Sequence, residues 1–337
     1  MLSHYDTFIY SFYLPLRRVF TFSFKVMPNN TTFKGFLYGA IAASSYGLNP
    51  LFALPLYAEG MSPDSVLFYR YGFGMLMLAI LMKVQGCSFR LRKCEILPLV
   101  AMGLFFALSS LTLFVSYNYM DAGIASTILF VYPVLVAILM AVFFKERISV
   151  ITALSIMLAV TGISLLYKGD GGETLSLIGV LMVFLSSLTY AIYIIGVNRS
   201  VLKDMPIAKL TFYVLVFGTG LFLVRLRLGL DLEVISTPAM WINPIGLALF
   251  PTVISLITMT KSIHYIGSTP AAILGALEPI TALVIGVAVF GEKLTPRIIW
   301  GIVLILTAVT LIIVGKSLIQ MIRSKVLQKI RLMHRIR

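Results

Sequence analysis

Two charged side chains lie inside long apolar stretches of this sequence, where ionised groups are rare. Glu278 stands directly before Pro279 in the stretch 270–290, and Arg70 lies in the stretch 65–82. A charge at the centre of a membrane costs about 2.5 to 3.5 kcal/mol even on lenient scales, so such residues usually have a task. The chemistry they offer is charge pairing and proton binding.

Glu278 has two interpretations. As a carboxylate facing a cavity, it takes up a proton or pairs with a cationic group of a solute, while Pro279 frees a backbone carbonyl as an additional ligand. Pro133 precedes a similar apolar run and predicts a second helix irregularity. Alternatively, Glu278 ties helices together through a hydrogen bond or an ion pair with Arg70. Arg70 either contacts solute or Glu278, or extends its long side chain to the membrane interface.

The remaining candidates for a solute site are polar or aromatic residues within apolar stretches: Tyr46, Asn49, Tyr190 and Tyr193. They either line a cavity or serve ordinary membrane roles, because tyrosines are frequent at membrane interfaces. Cys87, Cys94 and three scattered histidines show no metal-binding spacing. Nucleotide-binding and hydrolase motifs are absent from the sequence as well. We therefore predict no catalytic residue, no metal and no cofactor.

The composition shows which elements position these groups. Of the 337 residues, 59% are hydrophobic and 12% are charged, whereas soluble domains carry about 25% charged residues. A helical span needs about 20 apolar residues, and helices satisfy their own backbone polar groups in lipid. The predicted fold class is an all-α integral membrane protein with ten transmembrane helices. The predicted spans are 35–56, 65–82, 96–115, 123–144, 150–167, 175–197, 207–224, 242–260, 270–290 and 298–315.

The net charge of +14 would suggest a nucleic-acid partner in a soluble protein. Here the basic residues gather in alternate short connections and in the tail 316–337, as the positive-inside rule requires. We therefore expect no nucleic acid, a multi-pass protein of the cell (inner) membrane, and both termini in the cytoplasm. Residues 1–34 are expected to form a cytoplasmic or interfacial leader. The basic cytoplasmic tail either lies on anionic lipid or only fixes the topology.

An internal repeat is the most informative feature. The segment Tyr119–Ile148 aligns without gaps to Tyr265–Leu294, and the matched pairs include Tyr119 with Tyr265, Pro133 with Pro279, and Glu146 with Glu292. Five spans per copy is an odd number, so the second copy must be inverted in the membrane. The predicted organisation is a first five-helix repeat at 35–167, a linker at 168–174 and a second five-helix repeat at 175–315.

At these residues the sequence resembles the EamA family of the drug/metabolite transporter superfamily. Family members carry in each half a stretch like residues 119–133, followed by an acidic residue at a helix end, here Glu146 and Glu292, and often an arginine early in the second helix, here Arg70. The resemblance covers about residues 35–315 and implies a ten-helix transporter that works without ATP and often exports amino acids, metabolites or drugs. The first copy has Lys145 where the second has Gly291, so we expect that turn to be built differently in the first half.

The predicted function is secondary transport of a small organic solute, namely an amino acid, metabolite or drug-like compound. We expect alternating access around a site near the membrane midplane, with export and proton coupling at Glu278. The expected partners are the solute, membrane lipid and protons. The alternatives are a channel, a non-transporting scaffold and an intramembrane enzyme acting on lipid, which would need paired catalytic groups at one depth.

Overall fold

The computed structural model describes residues 30–146, 149–167, 176–235 and 237–335, and these ranges contain helices joined by short connections. The predicted linker 168–174 and residues 1–29 of the predicted leader lie outside the described residues. The helices of the first half are α1 (Asn30–Tyr46), α2 (Asn49–Ala58), α3 (Pro63–Val84), α4 (Lys93–Ser116), α5 (Ala122–Leu129), α6 (Tyr132–Phe144) and α7 (Val150–Tyr167). Those of the second half are α8 (Leu177–Arg199), α9 (Ile207–Arg225), α10 (Ile242–Ala248), α11 (Ser255–Ile266), α12 (Ser268–Leu274), α13 (Leu277–Phe290) and α14 (Pro296–Arg335).

Eight helical segments of the described chain are long and apolar enough to cross a membrane. They are Pro63–Val84, Lys93–Ser116, Ala122–Phe144, Leu177–Arg199, Ile207–Arg225, Pro238–Ile266, Pro270–Phe290 and Pro296–Gly315. Of the two other predicted spans, 35–56 is divided between α1 and α2, and 150–167 corresponds to the shorter apolar helix α7. The protein is therefore an all-helical, multi-pass membrane protein.

Three predicted spans are interrupted near their middle, between α1 and α2, between α5 and α6, and between α12 and α13. In each case the second helix has a proline in its first turn, namely Pro50, Pro133 or Pro279. Proline has no N–H to donate to a carbonyl of the preceding turn, so it interrupts the hydrogen bonds of a continuous helix. In the first turn of a helix a backbone N–H has no intrahelical partner, so proline is tolerated there. The prolines thus mark where each span restarts.

A fourth irregularity lies in the predicted span 242–260, where the π-helical segment Leu249–Ile254 separates α10 from α11. Pro251 cannot donate to the carbonyl of Leu247, which instead accepts a long hydrogen bond of 3.4 Å from the Thr252 hydroxyl. Such π segments are frequent at functional sites because they turn side chains and carbonyl groups out of helical register.

Helix packing follows the internal repeat. When the predicted spans are numbered in chain order, extensive contacts join them in five pairs: 1 with 8, 2 with 7, 3 with 6, 4 with 9 and 5 with 10. The helices that make these contacts are, in the same order, α1 and α11, α3 and α9, α4 and α8, α5 and α13, and α7 and α14. Exchanging every span with its counterpart five positions along the chain returns the same pairs. The contacts of span 3 with 7 and of span 2 with 8 exchange with each other. The packing therefore has the pseudo-two-fold symmetry of a duplicated unit.

The turn after α6 contradicts a prediction. Lys145 adopts the left-handed conformation with a φ of 55°, as Gly291 does after α13 with a φ of 71°. The next amide, of Glu146 or Glu292, donates to a carbonyl six residues back, at 3.3 Å and 2.9 Å respectively. The expectation that the first copy is built differently is therefore wrong. The shared turn places a lysine in a conformation that costs about 1 to 2 kcal/mol.

Candidate solute site

The three helix breaks marked by prolines meet around the start of α13. A Cβ atom at Gly47, in the α1–α2 break, would lie 2.5 Å from the carbonyl oxygen of Glu278 and 2.7 Å from Cβ of Thr281. Phe130, in the α5–α6 break, reaches to within 3.7 Å of the corresponding point on Gly275. Parts of the first half thus hold the first turn of α13, and glycine at position 47 permits the closest of these approaches.

A cavity of about 640 Å³ lies beside this turn and is lined by residues of both halves. The volume suits a small organic molecule, since ligand pockets usually measure about 300 to 1,000 Å³. Five predicted site residues line it: Tyr46, Arg70, Tyr190, Tyr193 and Glu278. The structure thus brings together side chains that are as much as 232 positions apart (278 − 46).

Glu278 occupies the first turn of α13 and is half-buried, with its side chain at the cavity wall. Among the described residues, none forms an ion pair or a side-chain hydrogen bond with its carboxylate. The predicted ion pair with Arg70 is therefore not formed in this conformation. An unpaired carboxylate on a cavity wall can bind a proton or a cationic group.

Arg70 lies in α3 on another part of the cavity wall and is 5% exposed. Its guanidinium carbon stands 5.4 Å from the centre of the Phe114 ring, which is a cation–π distance. No described carboxylate pairs with it. Because Arg70 is buried beside the cavity, extension to the membrane interface does not describe its side chain here.

The wall between these charges is aromatic and hydroxylated. Tyr132 packs edge-on against Tyr190 with ring centres 4.7 Å apart, and Tyr190 stacks on Tyr193 at 5.8 Å. Tyr71 donates a hydrogen bond of 2.9 Å to Ser110, and both residues line the cavity. Such a wall combines flat apolar surfaces for a ring or hydrocarbon body with hydroxyl groups for polar atoms.

Asn49 and the two predicted helix-breaking prolines lie outside the cavity lining. The Asn49 side-chain amide donates to the carbonyl of Tyr46 at 2.9 Å, and its Oδ1 is buried without a partner among the described residues. Pro133 and Pro279 stand in the first turns of α6 and α13. These three predicted residues are therefore not part of the cavity lining.

Sequence reasoning missed several residues of the lining, and one of them had a clear signal. Tyr132 lines the cavity, and at the repeat offset of 146 it is the counterpart of Glu278. Repeat counterparts of site residues are thus good candidates, as the pair Tyr46 and Tyr190 also shows. The other missed residues had no such signal; the polar and aromatic ones among them include Tyr71, Phe106, Ser109, Ser110, Phe114, Thr252 and Ser255.

The two ends of the cavity differ. At one end its lining reaches Asn198, an exposed residue near the end of α8. At the other end, Arg225 forms a bidentate ion pair with Asp64, with N–O distances of 2.5 and 3.0 Å. There the Glu233 carboxylate also accepts hydrogen bonds from the amide and hydroxyl of Ser62. The cavity lining includes Asn198 but none of the residues of these contacts, so the cavity reaches the surface near Asn198 and stops short of the opposite end, which is the closed end.

The helices α3 and α9 are joined at both of these ends. Besides the Asp64–Arg225 pair, the Tyr213 hydroxyl donates to the carbonyl of Phe89, and the Lys209 ammonium donates to the carbonyl of Arg90. These two contacts lie just after α3 and near the start of α9. Polar contacts near both of its ends thus hold α9 against α3 and against the connection that follows α3.

Glu292 joins the halves at the closed end. Burial raises the pKa of this carboxyl to about 7, and the nearby Asp121 carboxylate adds to the rise, while hydrogen bonds from the amides of Gly123 and Ala122 oppose it. Burial also raises the pKa of Asp121. Glu146, its repeat counterpart, pairs instead with Arg199 at 2.8 Å. Both glutamates thus have the cap or ion-pair contacts expected of acidic residues at helix ends.

Comparisons with known proteins agree with this architecture. A family model for the EamA-like transporter family matches residues 33–168 and again residues 177–314. Similar curated proteins include an uncharacterized transporter of Archaeoglobus fulgidus, 28% identical over 250 residues, which are 73% of this chain and 84% of that protein. Another is the uncharacterized transporter YdfC of Bacillus subtilis, 25% identical over 237 residues, which are 69% and 76% of the two chains.

A solved crystal structure shares the fold with a TM-score of 0.58 at 15% sequence identity, covering 85% of this chain and 96% of its own. The two family matches cover most of the chain and coincide with the two sets of helices whose packing is symmetric. The chain therefore belongs to the EamA-like transporter family, a family of membrane transporters rather than enzymes.

Proposed function

We propose that this protein is a secondary transporter that carries a small organic solute through the central cavity by alternating access. The observation that carries the proposal is one cavity with a carboxylate and a guanidinium on its wall, neither of which pairs with a described protein charge. Removing an unpaired charge from water is costly. A solute or a proton that supplies the missing partner therefore binds favourably.

The lining also supports a class of solute. Glu278 attracts a cationic group, Arg70 attracts an anionic or polar group, and the tyrosines Tyr132, Tyr190 and Tyr193 present ring faces to an apolar or cationic body. An amino acid, a related metabolite or a drug-like compound of that chemistry fits a cavity of about 640 Å³. Its site lies between the halves, as expected near the membrane midplane.

The symmetric packing supports ten spans in two inverted five-helix repeats, at 35–167 and 175–315, with a linker at 168–174 between them. Inverted repeats give a protein two related packings that expose one site to opposite sides of the membrane. The accessible end lies near Arg199, Lys203 and Lys209, which the positive-inside rule assigns to the cytoplasm. Both termini and the basic tail 316–337 are then cytoplasmic. A site that loads from the cytoplasm of a cell (inner) membrane protein suits export.

Proton exchange at Glu278 drives this transport in the proposed mechanism. The test is flux of radiolabelled amino acids and cationic drugs in proteoliposomes, with and without an imposed pH gradient. Wild-type protein gives saturable flux that responds to the gradient, whereas Glu278→Gln, which cannot exchange the proton, loses that response. Glu59→Gln is the matched control, because Glu59 is exposed just after α2. Unchanged pH-dependent flux in Glu278→Gln would refute proton coupling at this residue.

The same assay separates the alternatives. Flux that rises linearly with solute concentration and never saturates identifies a channel. A folded protein that moves none of the compounds is a scaffold with respect to them.

A further inference from the structure

Glu292, in the second half of the protein, forms hydrogen bonds with backbone amides of the first half. Its Oε1 accepts a hydrogen bond of 2.9 Å from the amide of Ala122, and both carboxylate oxygens lie 3.3 to 3.4 Å from the amide of Gly123. A Cβ atom at Gly123 would stand 2.8 Å from Oε2, and one at Gly286 would overlap the carboxylate itself. Two glycines thus form a cradle that is shaped for this carboxylate.

The two glycines of the cradle reduce the stability of the helices that contain them. Gly123 and Gly286 lie within helices α5 and α13, and glycine inside a helix is about 1 kcal/mol less favourable than alanine. The bond that they permit satisfies amides in the first turn of α5, which have no intrahelical partner. It also places a carboxylate at the positive end of a helix dipole. The start of α5 is therefore fastened to the end of α13.

Both fastened helices continue into the cavity wall. The helix α13 has 14 residues, which is a length of about 21 Å at 1.5 Å per residue. It carries Glu278 in its first turn, and Glu292 follows just after its end. The helix α5 begins at Ala122 and ends at Leu129, which lines the cavity. A movement at either end of these helices is thus transmitted between the cradle and the site.

Glu146 provides an internal comparison, because it occupies the same turn in the other repeat. Its carboxylate pairs with Arg199, and the two side chains are 48% and 47% exposed. Arg199 is next to Asn198, where the cavity reaches the surface. The end of the protein with the cradled glutamate is closed, and the end with the solvated glutamate is accessible.

We propose that Glu292 is a positioning residue, a latch that keeps one end of the cavity closed by holding α5 against α13 and that opens in every transport cycle. The latch rests on the alternating access proposed above. Its release frees the start of α5 and opens a path to the cavity from the end opposite Asn198. Glu292 itself does not contact the solute.

The test measures access to the closed end. A reporter cysteine replaces Met120, which is 8% exposed in the α4–α5 connection, in a background with Cys87→Ser and Cys94→Ser. Labelling by a maleimide reagent is followed in nanodiscs at pH 8. Two variants break the latch: Glu292→Ala removes the carboxylate, and Gly286→Ala fills the cradle while leaving Glu292 in place. The matched control is Gly220→Ala, because a Cβ at this helical glycine of α9 meets no neighbour within 4 Å.

We expect each latch variant to speed labelling about tenfold, the effect of losing one hydrogen bond to the amides of α5, and the control to match the parent. The double variant should label no faster than either single variant, because both remove the same contact. Gly286→Ala displaces only the flexible end of a side chain, so its fold is retained even if Glu292→Ala unfolds. Parental labelling rates in Gly286→Ala, or additive effects in the double variant, would overturn the latch. The readout needs no solute, so this outcome is independent of the flux lost or kept by Glu278→Gln.

Discussion

Gly47→Ala tests whether the α1–α2 break positions the carboxylate of the candidate site. The new Cβ atom would lie 2.5 Å from the carbonyl oxygen of Glu278, 2.7 Å from Cβ of Thr281 and 3.2 Å from the amide nitrogen of Ala282. Carbon atoms in contact prefer about 3.5 to 4.0 Å, so α13 must retreat by roughly 1 Å. Overpacking of this kind costs about 1 to 3 kcal/mol.

Part of that cost is expected to fall on solute binding, because the retreat moves Glu278. A loss of about 1.4 kcal/mol weakens binding tenfold. The assay is the concentration dependence of flux for the solute found in the proteoliposome panel, together with thermal unfolding in detergent. Gly72→Ala is the matched control, since a Cβ at this glycine of α3 meets no neighbour within 4 Å. Wild-type affinity and stability in Gly47→Ala would show that the break does not position Glu278.

Two further predictions concern the duplicated turn. Lys145→Gly should raise the free energy of unfolding by about 1 kcal/mol, because the relief of backbone strain at the left-handed lysine outweighs the larger chain entropy that glycine gives the unfolded state. The control is Lys145→Ala, which removes the same charge and keeps the strain. Equal stability of the two variants in thermal unfolding would contradict this prediction. The Glu292 carboxyl has a pKa of about 7 in the closed end against about 4.3 when solvated, so the closed state binds the proton more tightly. Acidification from pH 8 to pH 6 should therefore slow labelling of Met120→Cys by more than it slows labelling of the exposed Cys94 in a protein that keeps only that cysteine, because acid also lowers the reactive thiolate of both. Glu292→Gln should abolish that excess slowing, and a parental excess in Glu292→Gln would assign the effect to another group such as Asp121.

The charged parts of the site were the easiest to predict from sequence, because membranes penalise charge. Glu278 and Arg70 were identifiable because a charge in an apolar stretch is conspicuous, and both line the cavity. Tyr71 and Ser110 were not, because their sequence context resembles that of residues that only pack helices. Their place in the wall depends on how α3 and α4 are rotated, which no local pattern encodes.

The breaks in the helices show the same division. Pro133 and Pro279 predicted irregularities in two spans, and the structure has breaks just before both. The break after Tyr46 had an equivalent signal in Pro50, but the continuous apolar character of residues 35–56 favoured one unbroken span. Apolar length indicates how far a segment can reach, whereas proline position indicates where it restarts, and the two signals compete in a short span.

The pairing of α3 with α9 bears on how the molecule changes shape. One helix comes from each copy, yet Asp64 of α3 pairs with Arg225 of α9 at one extremity, and at the other Tyr213 of α9 donates to Phe89 in the connection that follows α3. A scheme that swings residues 35–167 as one block against residues 175–315 would tear this pair apart. In the alternating access proposed above, the two repeats and the bodies that move against each other would therefore be different partitions of the same chain.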